Sequence, residues 1–94
     1  MTAPKTLSGT EVGSKLPQEW LINGLPANNP TGKSGIVVYG PPHAYFPRTA
    51  FAYVYRYGDD HIVIERRTCC QQDFDRIVDA VNECNHLELK VELL

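Results

Sequence analysis

Residues 50–57, AFAYVYRY, place Phe51, Tyr53, Tyr55 and Tyr57 at every second position, with Ala52, Val54 and Arg56 between them. A period of two belongs to a β-strand, so this segment specifies two chemically different faces. It is followed by Gly58-Asp59 and then by DHIVIERR, a second β-branched run. A glycine-first connection suits a type II′ turn, whose twist matches the strands on either side. The pattern therefore predicts a hairpin with a two-residue turn, Tyr55 opposite Ile62 and Tyr53 opposite Ile64 on one face. Val54 then faces Val63, and Arg56 faces His61, on the other.

A helix follows this hairpin. Cys70, Phe74, Ile77, Val78, Val81 and Cys84 recur at helical spacing. Thr68-Cys69-Cys70-Gln71 reads as a capping box, with Asn85 as the residue beyond the C-terminus. In LELKVELL, residues 87–94, leucine and valine alternate with Glu88, Lys90 and Glu92, the signature of a half-buried strand. Before the hairpin, GIVVYG reads as another strand, closed by Gly40-Pro41-Pro42. The expected fold class is α+β: an antiparallel or mixed sheet in β-β-β-α-β order with one helix packed on one face. That helix is expected to cover at least part of the face carrying the tyrosines. Residues 34–94 form the domain. Residues 1–33 read as a largely irregular, partly disordered N-terminal arm, with a short helix suited to 17–23 between Pro17 and Gly24.

The segment ANNPTGKS, residues 27–34, comes within one residue of the phosphate-binding pattern GxxxxGK[ST]. Such a loop works by joining a buried strand to a helix N-terminus, whose amides hold the phosphates. Ala27 replaces the first glycine, GLP precedes the segment and the strand-like GIVVYG follows it. The context argues against a nucleotide site, and no cofactor is expected.

With 94 residues, 43% of them hydrophobic, the chain suits one small soluble domain. No apolar run is long enough to span a bilayer, and MTAPKTLSGTEVGSK lacks a secretory h-region. Three cysteines, two of them adjacent, do not make a disulfide framework, which points to a reducing cytoplasmic setting. Cys69, Cys70, Cys84 and His86 form no metal set, because Cys70 and Cys84 stand about 20 Å apart along a helix. The net charge of −2 is uneven: residues 68–94 carry two cations against six carboxylates. That balance argues against nucleic acid as partner, even though aromatic strand faces can stack on bases.

Two features exceed what a minimal fold requires. Asp75, Asp79 and Glu83 share a helix face opposite the apolar one, a solvated surface or a docking edge for a basic partner. The loop GPPHAYFPR, residues 40–48, is stiffened by three prolines; it either offers His43, Tyr45, Phe46 and Arg48 to a partner at reduced entropic cost or folds its aromatics over the core. Trp20 is a further candidate anchor, either for a partner or for the arm itself. The functional expectation is a non-enzymatic protein–protein interaction domain, acting as a stoichiometric adaptor or inhibitor. Such a compact acidic protein suits a phage- or mobile-element-borne inhibitor. The partner-binding residues are then Asp75, Asp79, Glu83, His43, Tyr45, Phe46, Arg48 and Trp20. The alternative is a small enzyme or redox-responsive protein using Cys69, which stands at a helix N-terminus beside Arg66 and Arg67 and off the apolar face. Self-association through sheet edges, at residues 35–40 and 87–94, is a third expectation.

Overall fold

A computed structural model describes residues 9–25, 35–57 and 60–94. The fold is α+β: a five-stranded mixed sheet with two helices. Helix α1 (Gly9–Ser14) leads into β1 (Leu21–Gly24), then β2 (Gly35–Tyr39), β3 (Ala50–Tyr57) and β4 (His61–Arg66). Helix α2 (Gln71–Glu83) and strand β5 (Lys90–Leu93) complete the chain. The strands lie in sequence order across the sheet. The first four are antiparallel to their neighbours, and β5 runs parallel to β4. A parallel neighbour requires a crossover connection, and α2 supplies it.

The hairpin forms, but in a register one residue away from the expected one. Tyr57 pairs with His61, so residues 58–60 separate the strands, three rather than two. The conformation of Gly58-Asp59 lies outside the described residues. A single-residue slip exchanges the faces of a strand. Val54 accordingly pairs with Ile64 and Arg56 with Ile62, while Tyr55 pairs with Val63 and Tyr53 with Glu65. The isoleucines therefore share a face with Ala52 and Val54, not with the tyrosines.

That face carries the core. Val38, Ala52, Val54, Ile62 and Ile64 from the sheet pack with Phe74, Ile77, Ala80, Val81 and Cys84 of α2 and with Val12 and Leu16. The expectation that α2 covers at least part of a face shared by the tyrosines and the isoleucines is thus corrected in its tyrosine half: α2 covers Ile62 and Ile64, and the tyrosines lie on the other side. Shape explains the outcome: Ala52 and Val54 leave room for a helix that brings Phe74 and Ile77. On the opposite face Tyr57 is exposed and Tyr53 half-buried, and the hydroxyl of buried Tyr55 finds a partner in Glu65.

The N-terminal segment is more structured than its composition suggests. The short helix expected over 17–23 is absent; α1 occupies 9–14, and 21–24 form an edge strand paired with β2. Val12 is fully buried, and Leu16 nearly so. The described part of the arm therefore belongs to the domain. Glu11 Oε2 meets His86 Nε2 at 2.7 Å, tying α1 to the turn after α2. The capping box is also corrected. Cys70 is the N-cap of α2 and makes no side-chain cap bond, and Gln71 engages Arg66 and Asp75 instead.

At the other end of α2, Asn85 Nδ2 donates to Leu89 O at 2.7 Å and Asn85 Oδ1 accepts from Leu89 N–H at 3.0 Å. This side-chain clip aims the chain into β5, with Glu88 at φ 53° helping to turn it. Ile77 is fully enclosed between the sheet and α2's own neighbours. We expect Ile77→Ala to lower the unfolding free energy by about 2–5 kcal/mol, measured by chemical denaturation.

Candidate functional site

Because β2 ends at Tyr39 and β3 begins at Ala50, the connection of residues 40–49 projects from one end of the sheet. The start of β1, the end of β4 and the first turn of α2 lie at the same end. The root of this loop is clamped from three sides. Gly40 N–H donates to Thr49 O at 2.9 Å. The Arg48 guanidinium donates through Nη1 to Glu19 O at 2.8 Å and to Gly40 O at 3.0 Å. Trp20 stands edge-on to Phe51, with ring centroids 5.0 Å apart and planes at 89°. Glycine at position 40 suits this packing, since an added Cβ would meet the Phe51 ring, which would have to shift out of its contact with Trp20.

Two of the expected binding residues thus serve the root. Trp20 is half-buried against the core, and Arg48 holds carbonyls of its own chain. His43, Tyr45 and Phe46 form the tip and are exposed. Tyr45 is 90% exposed and Phe46 73%, the two largest exposures among the described large hydrophobic residues. An aromatic side chain left this open gains nothing from the fold, so its apolar area is available to another surface.

The acidic stripe is present. Asp75, Asp79 and Glu83 are all exposed on α2, and Asp75 Oδ1 accepts a hydrogen bond from Gln71 Nε2 at 2.7 Å. Asp75 lies toward the loop end, and Glu83 about 12 Å away along the helix by its rise. The stripe therefore runs along α2 away from the loop end rather than forming one patch with the loop tip.

Sequence periodicity gave no hint of the arginines at the loop end. Arg66 donates to Gln71 Oε1 at 3.0 Å and Cys69 O at 2.7 Å, and its guanidinium lies 5.7 Å from the Phe74 ring centroid. Arg67 pairs with Glu65 at 3.1 Å and lies 5.1 Å from the Tyr53 ring centroid. On the tyrosine face, Tyr55 is buried beside Val63 and donates to Glu65 Oε1 at 3.4 Å. Burial raises its hydroxyl pKa above the usual phenol value, and the nearby charges of Glu65 and Glu92 add to the rise.

The cysteines exchange the roles assigned from helical spacing. Cys69 packs partly buried against the core, Cys70 is exposed, and Cys84 is buried. Burial raises the Cys69 pKa, outweighing the opposing pull of the Arg66 charge. The surroundings thus disfavour a Cys69 thiolate. Cys84 is likewise raised by burial. Among the described residues no group of three or more His, Cys, Asp or Glu side chains is placed to hold a metal ion. No described helix is long and apolar enough to cross a membrane. The Gly-Lys-Ser segment lies outside the described residues, but the residues after it form β2, a strand where a phosphate loop needs a helix. A shallow groove of about 350 Å³ lies between α1, β1 and β2, lined by Gly9, Gly13, Ile22 and Ile36 among others. No protein-family model, curated protein or solved structure matches the chain.

Two measurements check this site chemistry. A thiol reagent at neutral pH should modify Cys70 first, Cys69 more slowly and Cys84 only on unfolding, as read by mass spectrometry of digests. The raised Tyr55 pKa makes the unfolded chain lose that proton first. Its contribution to stability is therefore complete below about pH 10 and lost as pH climbs through the folded-state value. Denaturation curves on the alkaline side should fall less steeply for Tyr55→Phe than for the wild type.

Proposed function

We propose that the chain is a non-enzymatic protein-binding domain that acts stoichiometrically, as an adaptor or inhibitor, through the tip of the 40–48 loop. The observation that carries this reading is the pair Tyr45 and Phe46, largely exposed on a loop whose root is clamped by Arg48, Gly40 and the Trp20–Phe51 contact. A pre-organised loop loses little entropy on binding, and adjacent aromatics are the residue types that dominate binding hot spots. His43 extends the same tip. Asp75, Asp79 and Glu83 supply a negative edge that steers a partner with a basic surface and speeds its encounter. Arg48 and Trp20 support the loop from behind rather than meet the partner. The three free thiols suit action in the cytoplasm.

The reading is tested by affinity capture from lysate of the native host. Wild type is compared with Tyr45→Ala/Phe46→Ala and with Asp75→Lys/Asp79→Lys/Glu83→Lys, each checked for unchanged thermal unfolding. The expected result is one stoichiometric partner. The aromatic double variant weakens its affinity by about thirtyfold or more, equivalent to ~2 kcal/mol. The charge-reversal variant mainly slows association and removes its salt dependence. A partner held equally by the aromatic variant would overturn the assignment of the loop.

A further inference from the structure

The sheet has two edges, β1 and β5, and only β5 carries charges that select how it can pair. The expected edge at residues 35–40 does not exist, because β2 is paired on both sides. Toward β4, the strand uses its even-numbered residues. Lys90 N–H donates to Asp60 O at 2.9 Å, Leu94 N–H donates to Ile64 O at 3.0 Å, and Leu94 O accepts from Arg66 N–H at 2.9 Å. Backbone groups alternate sides along a strand, so the amides and carbonyls of Val91 and Leu93 point outward, away from β4. An edge of this kind is a template for another strand. Leu93 is 51% exposed and Leu94 62%, so apolar area accompanies the outward backbone groups.

Read outward from Val91, the side chains are complementary to themselves. Leu89-Lys90-Val91-Glu92-Leu93 has leucine at both ends, valine in the middle, and one charge of each sign between. We infer that β5 pairs antiparallel with β5 of a second copy of this chain, across a two-fold axis through Val91. In that register Val91 exchanges two backbone hydrogen bonds with Val91 of the second copy. Lys90 faces Glu92 of the second copy, and Glu92 faces its Lys90, at the closely spaced positions where opposite charges interact best. Leu93 lies beside Leu89 of the second copy on the core side. Slipping the axis by one residue in either direction opposes two Glu92 carboxylates or two Lys90 ammonium groups, so charge selects the register. The clip from Asn85 already holds the N–H and C=O of Leu89. It confines the new ladder to the region of Val91, and the dimer is correspondingly weak and concentration-dependent. The interface is isologous, each copy giving the same patch, and it closes without leaving an open β5 edge.

Sedimentation velocity from micromolar to millimolar concentration tests this with four chains. The wild type is expected to pass from monomer to dimer. Lys90→Glu and Glu92→Lys each place like charges opposite one another twice, and each weakens the dimer about tenfold or more. The exchange variant Lys90→Glu/Glu92→Lys regains wild-type association, a recovery that mere damage to the strand does not allow. Unfolding curves of all four confirm that the fold is intact, because both side chains are exposed. A wild type that stays monomeric throughout overturns the proposal, as do larger assemblies of β5-to-β1 type, single reversals without effect, or an exchange that fails to restore the dimer. Tyr45→Ala/Phe46→Ala should dimerise like the wild type, so the loop and the edge are judged separately.

Discussion

Everything in this fold hangs on which way Ile62 and Ile64 point. Both are essentially inaccessible, and both pack against α2 together with Val54 and Ala52 of the neighbouring strand. Fully burying an isoleucine is worth roughly 1.5–3 kcal/mol relative to exposing it, so this pair outweighs any local turn preference. The price of the arrangement is a three-residue connection at the hairpin in place of the tighter one. Once the isoleucines face α2, the tyrosines must face away, and the sheet acquires one aliphatic side and one aromatic side.

The two sides impose different duties. The aliphatic side is closed by α2 and by Val12 and Leu16 near α1. On the aromatic side, Val37 and Val63 are buried next to Tyr53 and Tyr55, while Tyr57 is open and Glu65 pairs with Arg67. Its polar groups are satisfied locally, through Tyr55 with Glu65 and Arg67 over Tyr53. The proposed binding features lie elsewhere: at the loop end, at the exposed flank of α2 and along the β5 edge. They share little beyond a common scaffold, which lets each be altered without dismantling the others.

Much of the architecture was legible because it is periodic. The strand at 50–57, the helix through Phe74, Ile77 and Val81, and a final strand around Val91 all follow from spacing. What was not legible depended on one-residue parity or on distant partners. Gly58-Asp59 resembles a tight turn, and nothing local to it reveals that Ile62 must reach Ile77. Thr68 and Gln71 have capping-box identities, but Arg66 competes for Gln71 and Cys70 takes the cap position. β1 was invisible because LING is short and owes its strand form to pairing with β2. At the candidate site, the solvated acidic stripe was readable from helical spacing, whereas the exposure of Tyr45 and Phe46 was not, since a proline-stiffened loop can equally fold its aromatics over the core. The inward duty of Arg48 was not, since its partner Glu19 is 29 residues away.

Trp20 is the chain's single tryptophan, and it reports on a junction rather than on the bulk of the core. Its ring meets Phe51 where the N-terminal segment, the base of the 40–48 loop and the start of β3 converge. The indole emission therefore tracks the docking of that segment, whereas far-ultraviolet dichroism is dominated by α2 and the hairpin. If the two signals change together on heating, the N-terminal segment and the sheet melt as one cooperative unit. If the fluorescence changes first, residues 9–25 form a separable cover that can lift while the rest of the fold stands.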